Sequence, residues 1–276
     1  MALTVNTNMA AQNALTNLNG VNRSLSSSFA KISSGLRITK AGDDAAGLGV
    51  AENLSAAQRG LRQAMRNTND GVSLIEVAEG STNEVGNIVK RMRELAVQSS
   101  SETLDNNERA YIQTEFSELA GEVDRIANVT EFNGVTLGDG ANTQLDVQVG
   151  INNTANDRIT IKLGDLRATT LGVDTGSIDL STSGGGQAAL TVLDTALDTV
   201  NGYRADFGAS QNRLESATRN LETYTEHIAG AESRIRDADF AYETSEMSKN
   251  QILQQAGVAV LAQANTVNQG ALRLLG

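Results

Sequence analysis

Apolar residues recur at alternating steps of three and four along both ends of this chain. Near the start, Leu15, Leu18, Leu25, Phe29, Ile32 and Leu36 follow that rhythm, with Asn22 filling one position of the stripe. This is the a/d pattern of a coiled-coil helix, with Ser, Asn, Thr and Lys on its flanks. GLRITKAGDDAAG then interrupts it: Gly35, Gly42 and Gly47 mark exits, and Asp43 and Asp44 suit the start of a new helix. That second helix is predicted from about Asp44 to Ser99, with Leu54, Leu61, Thr68, Ile75, Thr82, Val89 and Ala96 seven apart on one track. At ~1.5 Å per residue it would be roughly 80 Å long, too long for a compact globule. A third helix carries Ile112, Phe116, Leu119, Val123 and Ile126.

The period changes between residues 130 and 186. Leu145, Val147, Val149 and Ile151 alternate, as do Ile159, Ile161 and Leu163, and NNTAND between them supplies turn residues. That pattern predicts a β-hairpin. TEFNG, 130–134, reads as a turn into a short strand, Val135–Leu137, and STSGGGQ, 181–187, as a flexible joint. The last zone returns to helix. Leu193, Val200, Phe207, Leu214, Leu221, Ile228 and Ile235 lie seven apart, and Leu253, Val260, Val267 and Leu274 repeat the interval with Gly257, Ala264 and Ala271 between them. RDADFAYETSEMSKN separates the two runs and is expected to shift the register or begin another helix.

The fold class predicted is therefore mainly α: an elongated antiparallel coiled-coil or helical bundle built from both chain ends, with a small β-hairpin region in the middle. Two apolar seams at opposite ends are expected to bury against each other. A narrow stripe gains roughly 0.8 kcal/mol per buried methylene against ~1–2 kcal/mol per residue of ordering. Such a terminal helix with one neighbour is marginal, and should order when several copies pack.

Composition narrows the function. The 276 residues include no Pro, Cys or Trp and only 3% aromatics, and the formal charge is −11. Absent Pro fits long helices. Net acidity argues against nucleic-acid or anionic-membrane binding. Absent Cys excludes disulfides and thiol chemistry. The N-terminal stretch lacks the layout of a secretory signal, and no run reaches the roughly 18 apolar residues of a membrane span. His227 is the only histidine and GxSxG is absent, so no hydrolytic constellation is expected. Asp237 and Asp239 read as helix-start caps in preference to a cation site, which needs more oxygen ligands. GLG at 47–49 follows no strand and lacks a third glycine, so it is not a nucleotide loop. No cofactor, metal or catalytic residue is expected.

Several motifs resemble bacterial flagellin in the order that family has them: ISSGLRITKAGDDAAGLGVAENL (32–54), RMRELAVQSSS (91–101), TEFNGVTL (130–137), RIRDADFAYETSEMSKNQILQQAGVAVLAQAN (234–265) and the ending LRLLG. The resemblance implies an inner-core terminal coiled coil, 1–42 with 237–276, and an outer-core helical bundle, 43–236, with the hairpin region at about 130–186. It implies a short type without large variable outer domains. It also implies a filament subunit for swimming, exported unfolded through the flagellar type III channel without a cleaved signal, and extracellular. Implied partners are other copies of the chain, an export chaperone on the C-terminal helix, filament cap and hook-junction proteins, and the vertebrate Toll-like receptor for flagellin. Arg91, Leu95 and Glu115 match the receptor or protofilament contact, Arg91 and Leu95 being four apart and so expected on one helix face. Leu15, Leu18, Leu25, Phe29, Ile32, Leu36, Leu253, Val260, Val267 and Leu274 would form the terminal assembly seam. Ser177, Ser181, Thr182 and Ser183 lie in an expected exposed zone where O-glycosylation occurs in the family. Competing readings are a hook–filament junction protein with similar ends, a soluble helical adaptor, and an enzyme; the short middle and lone His argue against the last.

Overall fold

The computed structural model describes the backbone of residues 7–275 and the side chains of residues 7–266. In chain order the elements are α1 (Met9–Ser34), α2 (Ala45–Ser99), α3 (Asn106–Val129), β1 (Glu131–Phe132), β2 (Val135–Thr136), β3 (Gln144–Gln148), β4 (Arg158–Lys162), α4 (Ala168–Leu171), α5 (Ser183–Arg236) and α6 (Phe240–Leu275). The fold is mainly helical, as the periodicity predicts.

Local chemistry sets the helix ends. Asn8 caps α1 by accepting from the Ala11 N–H at 3.0 Å, and Gly35 closes it in the left-handed region at φ 71°. Asp44 accepts from the Gly47 N–H at 2.8 Å where α2 begins. Its neighbour Asp43 gathers the Thr39 hydroxyl and the Thr39 and Lys40 N–H groups, which hold its carboxyl below the usual carboxylate range, the Thr39 hydroxyl most strongly. A capping box starts α3: Asp105 accepts from the Glu108 N–H at 2.8 Å, and Glu108 accepts from the Asp105 N–H at 3.0 Å. Asn133 and Gly134 both sit at positive φ, 51° and 78°, which lets a two-residue turn join β1 to β2. β3 and β4 pair antiparallel, Gln144 opposite Lys162 and Gln148 opposite Arg158.

The contacts divide the chain into two compact units. One comprises the residues up to Ala57 with those from His227 onward, and the other comprises Gln58–Glu226. In the second unit the seven-residue tracks are core. Leu61, Thr68, Ile75, Thr82, Val89 and Ala96 are at most 1% exposed. Leu193, Val200, Phe207 and Leu214 on α5 are equally hidden. One cluster joins α2 (Val85–Ala96), α3 (Phe116, Val123) and α5 (Leu193, Val200), with Leu166, Leu171, Val173 and Leu180 from the connection before α5. A second joins Ile75, Phe207 and Leu214 to Ile159 and Ile161 of β4. Thr68 and Thr82 enter the apolar track at low cost because each hydroxyl donates to the carbonyl four residues back, at 2.7 Å.

The structure corrects the reading of STSGGGQ as a flexible joint. α5 begins at Ser183 and runs through all three glycines. Thr182 accepts from the Gly185 N–H at 3.1 Å. A Cβ at Gly186 would lie 2.9 Å from the Ser100 N and 3.0 Å from the Ala96 O, so Gly186 permits close backbone approach.

Candidate assembly surfaces

α1 and α6 lie antiparallel in the first unit, and polar side chains take part in joining them. Lys31 Nζ meets Glu243 Oε1 at 3.1 Å, with the Glu243 side chain only 7% exposed. Gln254 Nε2 donates to Asn22 Oδ1 at 2.8 Å, and Asn8 Nδ2 donates to the Ala264 carbonyl at 3.0 Å. Ser28 and Asn250 are also buried. Gly257 admits the Leu18 side chain: a Cβ there would lie 3.2 Å from Leu18 Cδ1. Where both helices meet the rest of the chain, Leu36 bridges Asp237. The Arg37 N–H donates to Arg236 O at 2.7 Å, the Ala238 N–H to Gly35 O at 2.9 Å, and the Arg37 guanidinium to Ile235 O at 2.6 Å.

The two terminal helices pair as the pattern suggested, but their apolar seam residues are buried only in part. Phe29 is 65% exposed, Val260 59%, Leu253 44% and Leu15 42%, and Ile252 and Val258 are exposed beside them. Leu18, Leu25, Ile32 and Leu36 are half-buried. The side chains of Val267 and Leu274 lie outside the described residues. Packing between α1 and α6 thus combines small and polar side chains with the half-buried Leu18, Leu25 and Ile32, and leaves Leu15, Phe29, Leu253 and Val260 exposed.

A second surface lies on α2 and α3. Arg91 Nη2 meets Glu115 Oε1 at 2.8 Å, and its Nη1 meets Glu94 Oε2 at 2.9 Å. Glu115 first, then Glu94, holds the guanidinium above its ordinary pKa. Leu95 sits differently. It is 1% exposed and packed in the core, so it does not share the exposed face of Arg91. Met92, Leu95, Ala96 and Ser99 form the buried stripe, and Arg91 stands at its edge. Arg93 pairs with Asp194 of α5 at 2.6 Å on the same unit.

The chain matches two family models: the bacterial flagellin N-terminal helical region over residues 5–143 and the bacterial flagellin C-terminal helical region over 190–275. A flagellin of Halalkalibacterium halodurans is 42% identical, over 98% of this chain and 99% of that one. This chain belongs to the bacterial flagellin family. The flagellar filament 33 kDa core protein of Treponema phagedenis is 40% identical, over 98% of this chain and 99% of its own. The crystal structure of Bacillus cereus flagellin superposes with a TM-score of 0.50 at 31% identity, covering 56% of this chain and 88% of that one. At 276 residues, and with relatives matched along nearly their whole length, it is a short flagellin.

In this flagellin Asp239 acts as a helix cap, accepting from the Ala241 and Tyr242 N–H groups at 2.9 and 3.1 Å, and Asp237 accepts from the Ser233 hydroxyl at 2.6 Å. Among the described residues no group of three or more His, Asp or Glu side chains is placed to hold a metal ion, and no helix is long and apolar enough to cross a membrane. Sequence reading missed two buried charges. Glu243 lies on the α1–α6 contact, and Arg109 donates to the Ser99 and Ser101 carbonyls at 3.0 and 2.7 Å where α2 turns toward α3. No apolar periodicity marks either. Asn22, a polar residue in an a/d position, was the available sign of a polar contact.

Proposed function

We propose that this chain is a structural subunit that polymerises into the bacterial flagellar filament, with α1 and α6 as its main self-association surface. The observation that carries the reading is the outward-facing apolar stripe on a helix pair already joined by polar contacts. Each large apolar side chain gains roughly 1.5–3 kcal/mol when buried, so a stripe of them is strongly driven toward further copies. Leu15, Leu18, Leu25, Phe29, Ile32, Leu36, Leu253, Val260, Val267 and Leu274 form this seam. Residues 1–42 with 237–276 then make the inner layer, and 43–236 the outer layer. The filament is extracellular, and the role is structural and not enzymatic.

The supporting relatives include one whose name is flagellar filament core protein. Export proceeds unfolded through the flagellar type III channel, with a chaperone covering the C-terminal helix before assembly and cap and hook-junction proteins meeting the subunit at the filament ends. Arg91 and Glu115 form the exposed part of a contact shared by the neighbouring protofilament and by the Toll-like receptor for flagellin. Leu95 supports that surface from beneath. Seeding purified protein with filament fragments and imaging by negative stain tests the central claim. Long filaments are expected, and discrete particles at high concentration would sink it.

A further inference from the structure

The chain holds three Asn–Gly pairs, Asn19–Gly20, Asn133–Gly134 and Asn201–Gly202, and all three asparagines are exposed. Access to water therefore does not tell them apart, but the backbone does. Asn19 lies within α1 and Asn201 within α5, where the N–H of the following glycine is committed to the carbonyl four residues back. Asn133 and Gly134 form the turn between β1 and β2, at φ 51° and 78°. There the Gly134 N–H has no acceptor among the described residues, and the Asn133 side-chain amide has no partner among them. A Cβ built on Gly134 would meet nothing within 4 Å, so this end of the turn is uncrowded.

An asparagine before glycine has a nucleophile next to it. The glycine nitrogen, once it has given up its proton, attacks the asparagine Cγ. The N–Cγ bond forms, the Cγ–Nδ2 bond breaks, and ammonia leaves. Water then opens the cyclic imide. Opening at the Cγ carbonyl leaves aspartate; opening at the main-chain carbonyl leaves isoaspartate, in which the chain runs through Cβ and Cγ. One water enters and one ammonia leaves, with no oxidant required. Glycine favours the attack because it has no side chain to obstruct it. Neither a helix nor a closed turn holds Cγ over that nitrogen, so the rate follows the cost of local opening. In mid-helix that opening breaks several cooperative hydrogen bonds. β1 and β2 have two residues each, and so short a pair opens at little cost. Asp139–Gly140, in the next turn, is tied down: its carboxylate accepts from the Thr136 hydroxyl at 2.7 Å and the Ala141 N–H at 3.0 Å.

We infer that Asn133 is a site of spontaneous deamidation and isoaspartate formation, left reactive by its turn while α1 and α5 protect Asn19 and Asn201. The product changes more than charge. Isoaspartate adds a main-chain atom, which a two-residue turn cannot accommodate. The Phe132–Val135 pairing and the bond from the Leu137 N–H to Thr130 O, 3.0 Å, then loosen. Phe132 and Val135 pack on the second core cluster, so the change reaches the edge of that core.

Ageing full-length protein in mildly alkaline buffer, followed by peptide mapping with mass spectrometry, tests the inference. Replacement of NH by O should accumulate at Asn133 roughly tenfold or more faster than at the two helical sites, the factor that 1.4 kcal/mol of added opening cost gives. In denaturing urea the three sites should converge. Isoaspartate, told from aspartate by electron-transfer fragmentation, should appear in the product at position 133. Asn133→Gly keeps a residue suited to positive φ and removes the reactive amide. After equal ageing, the Leu137 N–H should exchange with deuterium faster in the parent than in this variant. The inference is overturned if Asn133 reacts no faster than the helical sites in the folded chain, if it keeps its lead in urea, or if aspartate alone forms there. Equal exchange at Leu137 in aged parent and variant, with isoaspartate present in the parent, would overturn the loosening of the turn.

Discussion

The α2–α5 tracks and the α1–α6 seam are written in the same code and end in opposite states. Both repeat apolar residues every seven positions. On α2 and α5, Ile75, Val89, Leu193 and Leu214 are wholly buried within one copy. On α1 and α6, Phe29, Leu253 and Val260 stand in the open. What differs is the company each stripe keeps. The first meets α3, the β3–β4 pair and the segment before α5, enough surfaces to enclose it. The second has one neighbour, and that neighbour is engaged through Asn, Gln, Lys and Glu. A heptad repeat states that a stripe needs a partner and leaves open whether the partner is in the same molecule.

The sharpest way to break this comparison is to put charge on the open stripe. Leu253→Asp with Val260→Asp should abolish seeded elongation, because two unpaired carboxylates would have to be buried in the assembly. The monomer should keep its unfolding free energy by urea titration to within about 0.5 kcal/mol, as exposed substitutions do. A fall of several kcal/mol in the monomer would mean that the stripe is already enclosed in one copy. Phe207→Ala makes the converse cut. Phe207 is 1% exposed, and its truncation should cost the monomer about 3–5 kcal/mol by denaturant titration. Phe29→Ala, the same change on the open stripe, should leave the monomer unaltered and weaken elongation.

A finer probe asks whether the buried track needs its polar atoms. Thr82 is 1% exposed and its hydroxyl doubles an existing helix hydrogen bond to Ala78. Thr82→Val keeps the shape and removes the hydroxyl, so urea titration of the monomer should show a change within about 1 kcal/mol in either direction. A larger loss would assign the hydroxyl a partner beyond its own helix.

Much of this architecture was legible beforehand. Periodicity located α2, α3, α5 and α6 and the β3–β4 pair, because their apolar spacing follows directly from helix and strand geometry. Three features were less legible, each for a physical reason. Gly184–Gly186 looked flexible because three glycines favour coil, whereas Gly186 lies close against Ala96 and Ser100, and Gly185 against the Asp179 carbonyl, where a Cβ would not fit. Leu95 looked exposed with Arg91 because residues four apart share a face. Each four-residue step also rotates about 40°, and the edge of the buried stripe falls between these two. The third was the α1–α6 contact. Contacts made by Glu243 and Gln254 leave no apolar signature, and the apolar positions nearby pointed to a different interface.

The smallest expected effect concerns acid, and it tests whether the enclosed bundle carries its own electrostatics before any assembly. Asp165 accepts from Arg167 Nη2 at 2.6 Å, from the Thr170 hydroxyl at 2.7 Å and from the Arg167 N–H at 3.1 Å. The Arg167 guanidinium, ahead of the other contacts, holds its carboxyl at about 2, and desolvation opposes the shift. A carboxyl whose pKa is depressed on folding stabilises the native state above its unfolded value and loses that contribution as pH falls through the folded one. The window is thus from about 4 down to 2. Solvent screening of so exposed a pair leaves about 1 kcal/mol at most. Asp165→Asn should therefore lower stability by up to that amount at pH 6, and the difference from the parent should shrink toward zero near pH 2. Leu166, Ala168 and Leu171, which follow Asp165, fill the core. A deficit that persisted unchanged at pH 2 would mean that Asp165 acts by shaping that turn, with its charge contributing little. The same titration on the Leu253→Asp/Val260→Asp monomer should retrace the parent curve across this window, since the open stripe contributes nothing to the bundle's response until another copy covers it.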